Sequence, residues 1–204
     1  AAAGERERVA LHHHRFGARC ERVPRQAVGC REAERAAGLE RLVQALQTLV
    51  TPDGNTPAVD GYLEKVRPLT AREKELLAMA AQQLNEADAK KALGVEHWID
   101  DLSWDKALER LASQPTMNIE GLVAGYTGPG GKTVLPGRAV AKIDSRLVPN
   151  QTMEDSEAKI RAHLDKRGFQ DVEVKVSGGY DPTETDENSR LIKAELNTYK
   201  RLGT

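Results

Sequence analysis

The sequence predicts an α+β fold in which an antiparallel sheet carries helices on one of its faces. Three observations support it. Met117, Ile119, Gly121 and Val123 share one face of a strand-like run, and Ala139, Ala141, Ile143, Ser145 and Leu147 share one face of a second. Val140, Lys142, Asp144, Arg146 and Val148 fall on the other side of that second run. A period of two marks a strand covered on one side only. Val172, Val174 and Val176 repeat the pattern against Glu173, Lys175 and Ser177, and segments of helical period precede and separate these strands. The order helix, two strands, helix, strand fits an open sandwich of ferredoxin-like type, with two helices on one face. It needs an opening strand, which would fall within the first 38 residues.

Those residues differ from the rest. Through Arg41 there are nine arginines and no lysine or aspartate, and the segment holds both cysteines and three of the five histidines. Such a mixture is what a GC-rich gene yields when read out of frame. Residues 1–38 are therefore expected to be an out-of-frame translation or an arginine-rich disordered arm. His12, His13 and His14 point in different directions on any regular element, and no carboxylate or cysteine stands at ligand spacing from them.

From Leu39 the pattern is regular. Leu39, Leu42, Val43, Leu46, Leu49 and Val50 form the apolar stripe of a helix, stopped by Thr51-Pro52-Asp53-Gly54-Asn55. A helical insertion spans residues 51–114. Residues 56–69 are irregular; Thr70 and Glu73 then form a capping box before a helix to about Gln83. A short helix over Glu86–Leu93 ends at Gly94, and Ser103 caps a helix with Trp104, Ala107, Leu108 and Leu111 on one face. Trp98 and Trp104 are expected to anchor this insertion, given the area an indole buries. After the central strands, Thr152 caps a helix running to about Arg167, with Met153, Ile160 and Leu164 inward; Gly168 ends it. Asn150-Gln151-Thr152 matches a glycosylation sequon but is read as the loop and cap of that helix. Asn188 is expected to cap a last helix carrying Leu191, Ile192, Leu196 and Tyr199.

The connection between the central strands is glycine-rich. Gly131-Lys132-Thr133 ends like a phosphate-binding loop, but the glycine required five residues before Gly131 is Tyr126. Such a loop must also open a helix, and Val134-Leu135-Pro136 follows instead, so nucleotide binding is excluded. The stretch Gly125–Thr152, with Pro129-Gly130-Gly131-Lys132-Thr133-Val134, Pro136 and Arg146-Leu147-Val148-Pro149-Asn150, resembles the lid, or dimerisation, segment of the zinc aminopeptidase, dipeptidase and desuccinylase superfamily that includes carnosinase, the M-twenty peptidases. The resemblance runs from about Leu39 to the C-terminus. It implies a lid domain over 39–181 of the fold described above, with residues 182–204 the truncated start of the return into a catalytic domain. It also implies a homodimer formed through the sheet edge or a helix.

Enzymes of that superfamily hydrolyse amide bonds with two zinc ions held by histidines and carboxylates, in a domain that flanks the lid in sequence. This chain shows no His-x-Asp strand motif, no Glu-Glu pair and no downstream histidine ligand. No catalytic residue, metal ligand or resident cofactor is expected in it, and alone it should be inactive. His97 and His163 lack ligand-spaced partners and are read as solvated or packed. The resemblance implies that Thr133 and Arg146 reach the carboxylate end of a peptide or acyl-amino-acid substrate. A planar guanidinium can grip a carboxylate bidentately; the competing reading pairs Arg146 with Asp144 or Glu173 across a solvated sheet. A lid histidine that the superfamily supplies to the partner's active site would lie before Leu39. The alternative to the lid is a free-standing ferredoxin-like module for interaction or small-ligand binding. A net charge of −1 offers nothing to a nucleic acid or a membrane surface, no apolar run spans a bilayer, and the cysteines form no CxxC pattern. A cytoplasmic protein is the expectation.

Overall fold

The computed structural model describes residues 13–20 and 38–203. Among the described residues there are four strands and six α-helices. In chain order they are β1 (His13–Cys20), α1 (Gly38–Gln47), α2 (Ala71–Gln83), α3 (Glu86–Leu93), α4 (Trp104–Ser113), β2 (Thr116–Ala124), β3 (Ala139–Arg146), α5 (Met153–Lys166), β4 (Val172–Gly178) and α6 (Arg190–Leu202). The strands form one sheet in the order β2-β3-β1-β4, every neighbouring pair antiparallel. β1 lies at its centre, in register with β3 from His13↔Arg146 to Cys20↔Ala139. The opening strand required by the element order is thus found inside the compositionally distinct segment. The other expectations for that segment fall on residues 1–12 and 21–37, or on the side chains of His13 and His14, outside what the structure describes. No described helix is long and apolar enough to cross a membrane.

One face of the sheet carries the core. Ala139, Ala141 and Ile143 of β3 and Val172 and Val174 of β4 form one buried cluster with Leu42, Ala45 and Leu46 of α1 and Ile160 and Leu164 of α5. The alternation of β3 puts its small side chains beneath α1, so the helix approaches the sheet closely. Gly38, the first residue of α1, donates its N–H to the Pro136 carbonyl at 3.2 Å, tying the helix start to the entry of β3. Across α1, Arg41 lies 4.4 Å above the Phe169 ring and pairs with Asp171 at 2.8 Å.

Several local expectations are met. Thr70 and Glu73 make the reciprocal capping box, Gly94 ends α3 in the left-handed conformation, and the Thr152 side chain accepts from the Asp155 N–H. Others need correction. Val43 is 46% exposed, because Leu42, Ala45, Leu46 and Leu49 make the buried stripe and residue 43 lies about 100° away from Leu42 around the helix. Ser103 makes no side-chain cap, and the last helix is capped by Ser189, one residue after the position expected. The single face expected for β2 does not exist. A register shift between Ile119 and Gly121 moves the strand out of phase, so that Leu122 and Ala124 oppose Ala141 and Ala139 while Gly121 and Val123 oppose Lys142 and Val140. A bulge of one residue in a period-two element exchanges the faces beyond it.

The irregular stretch 56–69 supplies two core residues, Val59 and Tyr62. Tyr62 bonds through its hydroxyl to Ser145 Oγ, and the Gln151 side-chain amide donates to the Tyr62 carbonyl at 2.8 Å. Gln151, inside the sequon, is buried and also accepts from the Val148 N–H at 3.1 Å. His163 of α5 is 1% exposed and uses both ring nitrogens. Nδ1 accepts from the Asp60 N–H at 3.0 Å, so the proton sits on Nε2, which donates to the Thr48 carbonyl at 2.9 Å. Burial, with Arg167 nearby, lowers its pKa below the ordinary histidine value, against smaller opposing effects from Thr48 and Asp60.

A group whose folded-state pKa is lowered in this way costs stability when it is protonated. Its contribution is complete above the unfolded value, about 6.5, and is lost as pH falls below that value. Denaturant melts at pH 7.5 and pH 5.5 should therefore show a lower midpoint at the acid end. His163→Gln should be less stable than the parent at pH 7.5 and should lose much of that dependence. An unchanged dependence in the variant would place the titration elsewhere.

Candidate functional site

Both residues singled out in the sequence lie on the β2–β3 hairpin, at opposite ends. Arg146 closes β3, in register with Thr116 at the start of β2 and with His13 of β1. Thr133 lies in the connection beyond the other end, where Gly125 and Gly130 adopt positive φ and Thr133 itself is exposed. The connection wraps around Tyr126, whose hydroxyl donates to the Pro129 carbonyl at 3.1 Å and whose ring lies 5.0 Å beneath the Lys132 ammonium. Gly128 lets the Tyr126 ring lie directly over the turn, where a Cβ would displace it. No helix follows Thr133, in keeping with the exclusion of a phosphate loop. At ~3.3 Å per residue, β3 alone runs about 23 Å between Arg146 and the connection that holds Thr133. The structure does not bring Thr133 and Arg146 together.

Arg146 is half-buried on the sheet face opposite the helices. Its Nε stands 3.6 Å from Asp144 Oδ2, and Asp144 is itself 4% exposed. That distance is an ion pair and too long for a hydrogen bond. The pairing with Asp144 considered from the sequence is present, and the pairing with Glu173 is not: Glu173 bonds Lys175 at 2.8 Å.

Arg146 also lines an open cleft of about 930 Å³ between the end of the hairpin and the helical insertion. The insertion is held in place by side chains that sequence reasoning did not single out. The Arg110 guanidinium of α4 bonds Asp100 Oδ2 at 2.7 Å and the Asn55 carbonyl at 2.6 Å, and Asn55 Nδ2 donates to Asp100 Oδ1 at 2.6 Å. These contacts clamp the 51–56 turn, the helical turn Ile99–Asp101 and α4 together. Asp100 and Asp101 take φ of 54° and 51° within the clamp, a conformation that non-glycine residues adopt at a cost. Trp98 and Trp104 stack with centroids 5.2 Å apart, and their indole N–H groups donate to Glu86 at 2.8 Å and to the Ala81 carbonyl at 3.3 Å. Both indoles therefore anchor the insertion. His97 is exposed and pairs with Asp101 at 3.3 Å. Among the described residues no three His, Cys, Asp or Glu side chains come together as metal ligands would.

A family model described as a peptidase dimerisation domain matches residues 39–172. The Beta-Ala-His dipeptidase of Rattus norvegicus is 32% identical over 124 residues, covering 61% of this chain and 24% of that protein. The Cys-Gly metallodipeptidase of Schizosaccharomyces pombe is 29% identical over 125 residues, covering 61% of this chain and 25% of that one. The chain thus spans about a quarter of the length of these curated relatives. Among solved structures, a metallo-carboxypeptidase from Sulfolobus solfataricus matches with a TM-score of 0.79 and 31% identity, over 95% of this chain and 44% of the other.

Removing the clamp should loosen the insertion without unfolding the sheet. Arg110→Ala leaves Asp100 and the Asn55 carbonyl without their charged donor, a loss of about 1.5–3 kcal/mol for bonds to a charged group. Limited proteolysis should then cut within residues 95–102 several-fold faster than in the parent, while β3 and α5 stay protected. Equal cleavage rates would show that the clamp contributes little.

Proposed function

The chain belongs to the peptidase dimerisation domain family of metal-dependent dipeptidase-like proteins, and from that premise we propose that it joins two copies of its parent enzyme and grips the carboxylate end of a dipeptide with Arg146. The four-stranded sheet with α1 and α5 on one face is read here as the ferredoxin-like lid, residues 39–181 as its body and residues 182–204 as the return toward a catalytic portion. Zinc is the metal proposed for that portion. The near-neutral charge and the unpatterned cysteines support a cytoplasmic setting.

The observation that carries the substrate role is the position of Arg146. It stands on the wall of a cleft, half-buried and therefore less screened than a surface arginine, with a long ion pair to Asp144. A bidentate carboxylate would give it two short charge-assisted bonds in place of that contact. The relatives' names specify dipeptides, whose free carboxylate suits such a grip. Thr133 lies in the connection beyond the far end of β3 from Arg146. We assign it to the site completed by the second copy.

The two-fold contact is proposed at β2. This strand lies at the sheet edge, where one row of backbone N–H and C=O groups faces no other strand, and Ile119, Leu122 and Val123 are 50%, 44% and 70% exposed beside it. Pairing of two such edges across a two-fold axis would cover both.

Sedimentation velocity tests the dimer. Val123→Lys places a charge on an exposed edge position and should weaken self-association by at least about tenfold, the cost of burying an unpaired charge. A dimer that persists unchanged removes β2 from the interface. The carboxylate grip is read by titrating N-acetylglycine and following amide shifts near Arg146. Arg146→Ala should weaken binding by roughly tenfold or more, as expected for the loss of charged hydrogen bonds, and Arg146→Lys should recover only part of it, because the two-pronged geometry is gone.

A further inference from the structure

The cleft beside Arg146 has walls of an unusual kind for a protein surface. Leu84, Leu93 and Leu111 line it and are 49%, 67% and 62% exposed, and Val95 and Ile99 add 38% and 40%. Large apolar side chains gathered around one concavity, rather than scattered singly, mark a surface that something covers. Trp98 and Trp104 form part of the same lining. The polar groups of the insertion are turned to internal work. Both indole N–H groups have acceptors in α2 and α3, and the Arg110 guanidinium is held by Asp100 and Asn55. What the described side chains leave to a ligand is a mostly apolar surface, the polar side chains of Gln114 and Asn118, and one cationic group with a long ion pair, Arg146.

From this juxtaposition we infer that the cleft is the specificity pocket for the C-terminal side chain of the substrate, and that it selects a large apolar or aromatic residue whose carboxylate is held by Arg146. The inference rests on the carboxylate role of Arg146 proposed above and adds to it the chemistry of the residue that bears that carboxylate. Size agrees with the reading. A volume of about 930 Å³ lies within the roughly 300–1,000 Å³ range of small-molecule sites, so a bicyclic side chain would fit. An apolar side chain is favoured because Leu84, Leu93, Leu111, Trp98 and Trp104 would lose exposed area to it, which a polar side chain of the same size would not match. The two aspartates held in left-handed conformation, Asp100 and Asp101, fix the turn that carries Trp98 and Ile99 into the wall. The pocket is thereby built in advance of its ligand.

The chain contains only two tryptophans, Trp98 and Trp104, and both line the cleft. Intrinsic tryptophan emission therefore reports on this site alone. The full chain is titrated with N-acetyl-L-phenylalanine, N-acetylglycine and N-acetyl-L-phenylalaninamide while emission and amide shifts are followed. The acid with the aromatic side chain should shift the emission and bind at least about tenfold more tightly than either of the others, the lower end of what burying one aromatic side chain confers. Leu111→Asn, a neutral change at an exposed position, should abolish the advantage of phenylalanine over glycine; Leu93→Asn serves as a second variant.

The outcomes separate the two ideas. If N-acetyl-L-phenylalanine and N-acetylglycine bind alike, both lost in Arg146→Ala and neither altering emission, Arg146 keeps its role and the pocket is refuted. If the amide binds as tightly as the acid and Arg146→Ala is silent, apolar side chains bind without the carboxylate grip and both proposals fall. A blue shift that grows with protein concentration in the absence of any probe would show a second copy covering the cleft, which overturns the pocket. No emission change with any probe also overturns it.

Discussion

The fold depends on how closely α1 can approach β3 and α5 can approach β4 on the same face of the sheet. Ala139 and Ala141 are fully buried in one cluster with Leu42, Ala45 and Leu46 of α1, and small side chains there permit a close approach. With α1 and α5 set against the same face, the remaining core residues can only fill the space between them, as Leu42, Leu46, Ile160 and Leu164 do. Tyr62 and His163 then tie the irregular segment 56–69 into that layer by polar bonds as well as by burial, through Ser145, Gln151, Thr48 and the Asp60 backbone. Buried polar atoms with complete partners cost little, and they define one arrangement where apolar contacts alone would allow several.

This one-sided core leaves the other face of the sheet and the β2 edge for other purposes. Arg146 and Asp144 lie on that face because β3 alternates, and the same alternation puts Ile143 and Ser145 into the core. The hairpin is also long enough to separate its two ends by more than any dipeptide spans. A domain that joins two copies can exploit that length, one end serving its own chain and the other end its partner's. The physical basis is simple: a paired strand is stiff, and its length converts sequence separation directly into distance.

The insertion adds a wall to one end of this hairpin. Its helices α2 and α3 contain no buried residue, so their stability comes from caps, ion pairs and the indole stack more than from a core of their own. Arg67 illustrates this, bonding Glu73 at 2.7 Å and Glu184 at 2.7 Å, and so linking the start of the insertion to the segment after β4. Such contacts hold a shape while leaving apolar side chains uncovered. That is the combination found around the cleft.

The sequence by itself determined the local features. The capping box at Thr70 and Glu73, the glycine stop at Gly94, the Thr152 cap, the alternation of β3 and β4 and the glycine-rich turn are all set by interactions within a few residues, which a linear pattern records. It also carried the long motif around 125–152 that identifies the domain. Only the tertiary structure decided the rest. The phase shift in β2 depends on pairing with β3, and no residue in 116–124 announces it. Leu111 fits a helical stripe perfectly well yet stands at the rim of an open cleft, because what lies opposite it is a matter of long-range packing. Tyr62 and Gln151 reached the core from segments without periodicity. Thr133 and Arg146 were grouped by motif, and a stiff strand of about 23 Å, at ~3.3 Å per residue, lies between the connection that holds Thr133 and Arg146. Local chemistry is written along the chain, whereas distance and enclosure exist only after distant segments have packed.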